Sequence, residues 1–340
     1  MSRRFALILS IFVALITGGI LGFVQIDRSH FGIPRFYIWR TLSGQFHESH
    51  RAEVNGVSIY FETYGDGSPV MVLHGAGAFL ESMHYFISAL APTHTVIAVD
   101  SRGQGRSTDS VDPITYAAMG DDMIKLMDTL QIDEADIVGW SDGGIVGLDM
   151  AMKHPDRVRR LVAIGSNYDV NGVDPNGFGF EQHAADIKRM YDAVAPDPKH
   201  FPVLMQKITH MLRTEPNYTL DELGRIRAET AIVAGEHDVI LRPHTDALAH
   251  AIRGAKEIIV PGASHAGPLE QPDVYNKIVL DFLDSHQSRL RSLDHLRAEN
   301  LRERRAAGLH PSILRCAGDS DPTRALVERM ARRNPTTTPY

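Results

Sequence analysis

"VGWSDGG", residues 138–144, sets a serine and an aspartate among glycines directly after an apolar run. Ala135 to Val138 reads as a buried strand and Ile145 to Met152 as a helix, so Ser141 falls on a strand-to-helix turn. Gly139 and Gly143, with Gly144 to spare, leave room where a β-carbon would obstruct the backbone. A strained turn of that kind holds a hydroxyl out of a sheet, within reach of a base.

Outward from this turn, short apolar runs alternate with helical patterns. Strands are expected at Val57–Tyr64, Val70–Leu73, Thr95–Val99, Leu161–Ile164, Ala231–Ala234 and Glu257–Val260, besides Ala135–Val138. Helices fit Leu80–Leu90, Tyr116–Leu130, Thr245–Ile252 and Val274–Leu283. Strands apolar on both faces and separated by helices imply an α/β fold, a mostly parallel sheet with helices on both faces. Right-handed crossovers then bring the strand C-termini to one edge, where ligands bind. Between Ser166 and Glu229 the alternation stops, and helices are expected near Ala184–Val194, Phe201–Arg213 and Leu220–Arg227. An insertion at that edge reads as a small helical cap, residues 167–228, over the site. Its apolar side chains, Phe178, Phe180, Met190, Met205 and Met211, either line a substrate pocket or form the cap's own core.

The ends differ from this body, which is expected to span residues 52–286. Phe5 to Ile26 is 22 residues without a charge, behind Arg3 and Arg4 and before Asp27. As a helix it spans about 33 Å, enough for a bilayer core. Residues 1–28 therefore read as a transmembrane anchor with the body outside the cytoplasm, or as a signal peptide whose removal would leave a secreted protein. Residues 29–51, with Phe31, Phe36, Tyr37 and Trp39 among basic side chains, read either as a stretch at the membrane interface or as a linker packing on the domain, and 287–340 as an arginine-rich tail that is partly disordered. The net charge of −7, with no charged block, gives no footprint for nucleic acid. A single cysteine, Cys316, excludes an intrachain disulfide and a cysteine metal cluster. No H-E-x-x-H spacing occurs, and "RGQGRS" lacks the lysine of a phosphate loop, so no metal and no cofactor is expected. Arg102 and Arg106 in that turn are expected to be solvated or paired.

A serine becomes nucleophilic when a base removes its proton during attack, and that base is usually a histidine held by a carboxylate. "VAGEHD" puts Asp238 just past one strand, and "VPGASH" puts His265 just past the next. The order Ser141, Asp238, His265 is the one expected on this topology. Glu236 and His237 are rivals in the same loop. The oxyanion would be held by the backbone N–H of Asp142 and one from the His74–Gly77 loop, assigned to Ala76, with His74 bracing that loop.

"LHGAG", "DSRGQGRS", "GWSDGG", "GEHD" and "GASH" together resemble the α/β-hydrolase fold superfamily over residues 53–284. "GWSDGG" is similar to its valacyclovir hydrolase (biphenyl-hydrolase-like) branch and bacterial relatives. The resemblance implies Ser141 as nucleophile, Asp238 as acid, His265 as base, and the Ala76 and Asp142 backbone as oxyanion hole. In that branch the acid after the serine is thought to attract the amino group of aminoacyl esters. Asp142 also fits a bland role as a carboxylate in the first turn of a helix. The expected activity is hydrolysis of a small-molecule carboxylic ester. Amide, lactone or carbon–carbon bond cleavage, or a membrane-tethered receptor that retains the triad, are the alternatives.

Overall fold

The strands are β1 (Phe46–Val54), β2 (Val57–Tyr64), β3 (Ser68–Leu73), β4 (His94–Val99), β5 (Ala135–Trp140), β6 (Val158–Ile164), β7 (Glu229–His237) and β8 (Lys256–Ser264). A computed structural model describes residues 32–175, 177 and 183–284. The eight strands form one sheet in the order β1-β2-β4-β3-β5-β6-β7-β8. β1 pairs with β2, and β2 with β4, antiparallel; every later pairing is parallel. Side chains alternate between two apolar layers. Met71, Leu73, Ile137 and Leu161 enter one, and Val70, Val72, Val138 and Val162 the other. Both faces are therefore buried, which is why these strands read as unbroken apolar runs.

The helices are α1 (Ile33–Leu42), α2 (His84–Leu90), α3 (Tyr116–Thr129), α4 (Asp142–Lys153), α5 (Ala184–Val194), α6 (Phe201–Thr214), α7 (Leu220–Leu223), α8 (Arg242–Ala251) and α9 (Gly267–Glu270), with residues 272–284 also helical. α3, α4 and α8 cover one face; α2 and the helix from 272 cover the other. α3 starts at Thr115, whose hydroxyl accepts the Ala118 N–H at 3.0 Å. α5, α6 and α7 fall between β6 and β7, where the cap was expected.

Residues 29–51 differ from the linker expected of them. From Ile33 onward they supply α1 and the start of β1, built into the body. Phe36 is buried against Trp39, Tyr64 and His84. Tyr37 Oη donates to Glu81 Oε1 at 2.7 Å, and Arg40 Nη2 to Glu62 Oε1 at 2.8 Å. Glu62 and Glu81 are both almost fully buried. Among the described residues no helix is long and apolar enough to cross a membrane. The stretch 5–26 and the tail 287–340 lie outside the described residues.

Arg102 and Arg106 are both paired. Arg102 grips Asp122 with two bonds of 2.6 Å, both side chains almost fully buried. Arg106 bridges Glu81 and Asp100. Removing one partner of a buried pair leaves a charge uncompensated, at a cost of about 3–5 kcal/mol. Asp122→Ala is accordingly expected to lower the denaturant midpoint by that equivalent, read by chemical unfolding at constant m-value.

Candidate active site

Ser141 follows β5 directly and adopts φ 56 and ψ −119, a conformation that strains any residue with a β-carbon. The turn closes because its neighbours are glycines. A Cβ on Gly143 would lie 2.1 Å from the Leu73 carbonyl oxygen, and one on Gly139 would lie 2.2 Å from that of Gly143. Gly144 is not spare: its Cβ would meet Ser166 Oγ at 2.0 Å. Ser166 Oγ donates to the Ser141 carbonyl oxygen at 3.0 Å, so this close approach secures the turn from the β6 side.

β7 ends at His237 and β8 at Ser264, so Asp238 and His265 emerge at the same sheet edge as Ser141. His265 Nε2 lies 3.1 Å from Ser141 Oγ, and His265 Nδ1 lies 2.8 Å from Asp238 Oδ1. With Nδ1 donating to the carboxylate, Nε2 is the acceptor facing the hydroxyl. Burial pushes the Asp238 carboxyl up, but the hydrogen bond and charge of His265, with the N–H groups of Ile240 and Gly235, outweigh it and hold it below its usual range. The rivals stand apart: Glu236 accepts the Gly262 N–H, and His237 is exposed.

The Ala76 and Asp142 backbone N–H groups make no hydrogen bond within the described residues, and both residues line the cavity at Ser141. The loop carrying Ala76 is pinned from the 100–106 turn. Gln104 Oε1 accepts from Gly77 N at 2.7 Å, Asp100 Oδ1 from Leu80 N at 2.7 Å, and His74 Nε2 from Ser101 N at 3.0 Å. Burial lowers His74 to about 4, so it stays neutral and serves as the brace expected of it.

Asp142 opens α4, yet its carboxyl is not at a solvated helix end. It is buried, and Oδ1 accepts from Tyr116 Oη at 2.9 Å. Oδ2 has no partner among the described residues. Burial pushes this carboxyl up to about 6, against the Tyr116 bond and the nearby His265.

The cavity measures about 290 Å³ and is lined by Ser141, His265, Asp142, Asn167 and a largely apolar wall. That wall includes Trp140, Val170, Val173, Leu212, Val239 and Ile240, none of which the sequence singled out. Leu212 comes from α6, so that helix contributes to the cavity wall. Met190 does not line the cavity. α5 turns Ile187 and Tyr191 inward, and Met190, between them in sequence, sits on the outer face at 37% exposure. Met211 is core of the cap, and Met205 lies on its outer surface groove. Phe178 and Phe180 lie outside the described residues. Among the described residues no group of three or more metal-ligating side chains is clustered.

A family model described as the alpha/beta hydrolase fold matches residues 68–201. The serine hydrolase BPHL of Mus musculus is 28% identical over 258 residues, 69% of this chain and 86% of its own. A protein that carries the name carbamate hydrolase RutD, from Azorhizobium caulinodans, is 26% identical over 252 residues, 66% of this chain and 94% of its own. The solved structure of Est816, an N-acyl homoserine lactone degrading enzyme, superposes with a TM-score of 0.56 at 27% identity, covering 68% of this chain and 100% of that one. The fold and these relatives define an enzyme, a hydrolase. The family-model match, these relatives and the fold together support membership of the α/β-hydrolase fold superfamily.

Proposed function

We propose that the protein cleaves a small-molecule carboxylic ester through an acyl-enzyme on Ser141. The observation that carries this reading is the unbroken line from Ser141 Oγ to His265 Nε2, at 3.1 Å, and from His265 Nδ1 to Asp238, at 2.8 Å, at the wall of a cavity. His265 takes the hydroxyl proton as Oγ attacks the ester carbonyl. The oxyanion of the tetrahedral intermediate is received by the Ala76 and Asp142 N–H groups, which are unspent within the described residues. Collapse breaks the ester C–O bond, and His265 delivers its proton to the departing alcohol. Water then attacks the acyl carbon as His265 takes its proton, and collapse breaks the bond to Ser141 Oγ, which recovers a proton from His265 as the acid leaves. Asp238 fixes the ring's tautomer and stabilises the imidazolium in both halves. The test is a fluorophosphonate probe with a panel of p-nitrophenyl esters. Labelling of Ser141 with rapid turnover supports the reading; labelling with negligible turnover across the panel moves the protein to the ligand-receptor alternative.

A second reading concerns the substrate. Asp142 is among the residues lining the cavity at Ser141, and its buried Oδ2 has no partner among the described residues, which favours an ester bearing an ammonium group. With its carboxyl pushed up to about 6, Asp142 is neutral below that pH and charged above it. The kcat/KM ratio of an aminoacyl ester to its des-amino analogue is therefore expected to rise as pH passes upward through about 6. A titration common to both esters cancels in the ratio. In Asp142→Asn the rise near pH 6 is expected to be absent.

The anchor remains part of the proposal. Twenty-two uncharged residues from Phe5 to Ile26 support membrane attachment with the body outside the cytoplasm. Deleting residues 1–28 is expected to move the protein from the membrane fraction to the soluble one.

A further inference from the structure

Around Ser141 the cavity wall is mostly carbon. Apart from Ser141 and His265, its polar side-chain atoms belong to Asp142, Asn167 and Trp140, and the Trp140 indole N–H is committed to the His265 carbonyl at 3.0 Å. Asn167 follows β6 by three residues and is 7% exposed. Its amide nitrogen donates to the Asp169 carbonyl at 3.0 Å. Only the NH₂ end of a carboxamide can face a carbonyl oxygen, so this bond settles which way the group points. The carboxamide oxygen accepts from no described residue, and Asn167 is one of the residues that line the cavity.

The loop is held on both sides of Asn167. Ser166 Oγ is bonded to the Ser141 carbonyl, and Tyr168 N donates to His244 Nε2 at 3.0 Å, with the two rings stacked 3.8 Å apart. Asn167 thus keeps a fixed place relative to the nucleophile. An acceptor left unpaired when a ligand displaces water loses its hydrogen bond with nothing in return, so the cavity favours ligands that bring a donor to it. An ammonium is better met by the Asp142 carboxylate. A neutral carbonyl oxygen suits a neutral N–H or O–H.

We propose that Asn167 is a specificity-determining residue whose side-chain oxygen accepts a hydrogen bond from a neutral donor on the substrate, an amide N–H or a hydroxyl. The preferred esters then carry such a group and are not plain hydrocarbon esters. This rests on the ester-hydrolase reading above.

Matched esters that differ in one group provide the test. Methyl N-acetylglycinate and methyl 4-oxopentanoate differ by N–H against CH₂ on the acyl side. 2-Acetamidoethyl and 4-oxopentyl butanoate do so on the alcohol side, and methyl 3-hydroxybutanoate and 3-methylbutanoate compare hydroxyl with methyl. Wild type is expected to favour the donor-bearing member of at least one pair by tenfold or more in kcat/KM. In Asn167→Leu, or in Asn167→Ala if leucine does not fold, that ratio is expected to fall to near one while the donor-free ester is still cleaved. A merely structural role would slow both members alike and leave the ratio unchanged. Ratios near one for all three pairs in wild type would overturn the proposal and leave the ester reading standing. If wild type cleaves no ester, the ester reading fails, and binding decides this one. Ser141→Ala, followed by Trp140 fluorescence, should then bind a donor-bearing ester at least tenfold more tightly than its partner, and equal affinities overturn the proposal.

Discussion

Ser141→Ala is expected to lower kcat for ester hydrolysis by about 10⁶-fold, a loss of the size seen when a triad nucleophile is removed. The argument is geometric. Ser141 Oγ faces His265 Nε2 at 3.1 Å. Alanine keeps the β-carbon, so the turn at φ 56 carries the same strain as before and the fold is expected to survive. Residual activity over water, about 10³–10⁴-fold, would come from the oxyanion donors and substrate binding. The measurement is steady-state turnover of the best p-nitrophenyl ester, with circular dichroism to confirm folding. A variant that keeps even a tenth of wild-type kcat would remove Ser141 from the mechanism.

Asp238→Asn is the second large effect, about 10⁴-fold in kcat. The Asp238 carboxylate receives three N–H donors: His265 Nδ1 at 2.8 Å, Ile240 N at 3.1 Å and Gly235 N at 3.4 Å. A carboxamide is the same size but offers one oxygen and one NH₂ group. If the NH₂ faces the imidazole, the ring must switch tautomer and Nε2 carries a hydrogen toward Ser141. If the oxygen faces it, the negative charge that stabilises the imidazolium is gone. Either orientation slows proton transfer and leaves the cavity wall unchanged, so KM is expected to stay within a few-fold of wild type. A KM that rises with kcat intact would mean that Asp238 acts in binding.

The triad was legible because its members sit where short apolar runs stop. β7 is buried through its middle and β8, though a half-buried edge strand, carries the apolar run 258–260; Asp238 and His265 occupy the first positions after them. α1 and β1 left no such signal. α1 buries Phe36 deeply and exposes Ile38 and Leu42, so its apolar residues mark no single stripe. β1, "FHESHRAEV", is an edge strand with most of its side chains in water, and its polar pattern resembles a linker. The cavity wall was hidden for another reason. Helical periodicity identifies an inward face but not what that face meets, so Leu212 beside the site and Met211 in the cap core look alike. Asn167 has only its place behind β6 to mark it, and a lone asparagine in a loop is ordinary. Gly144 shows the same limit: that the spacing was required became visible only with Ser166 opposite it.

The helix that precedes the first strand also governs where the chain can be shortened. A version beginning at residue 29 keeps Tyr37 and Arg40; one beginning at residue 52, where the sequence pattern alone would cut, strips both from Glu81 and Glu62. Glu81 also holds Arg106 in the turn that steadies the Ala76 loop, so the shorter version would trade a cleaner N-terminus for two buried acids each short of a partner, Glu81 left with Arg106 and Glu62 with Tyr60 and Tyr64.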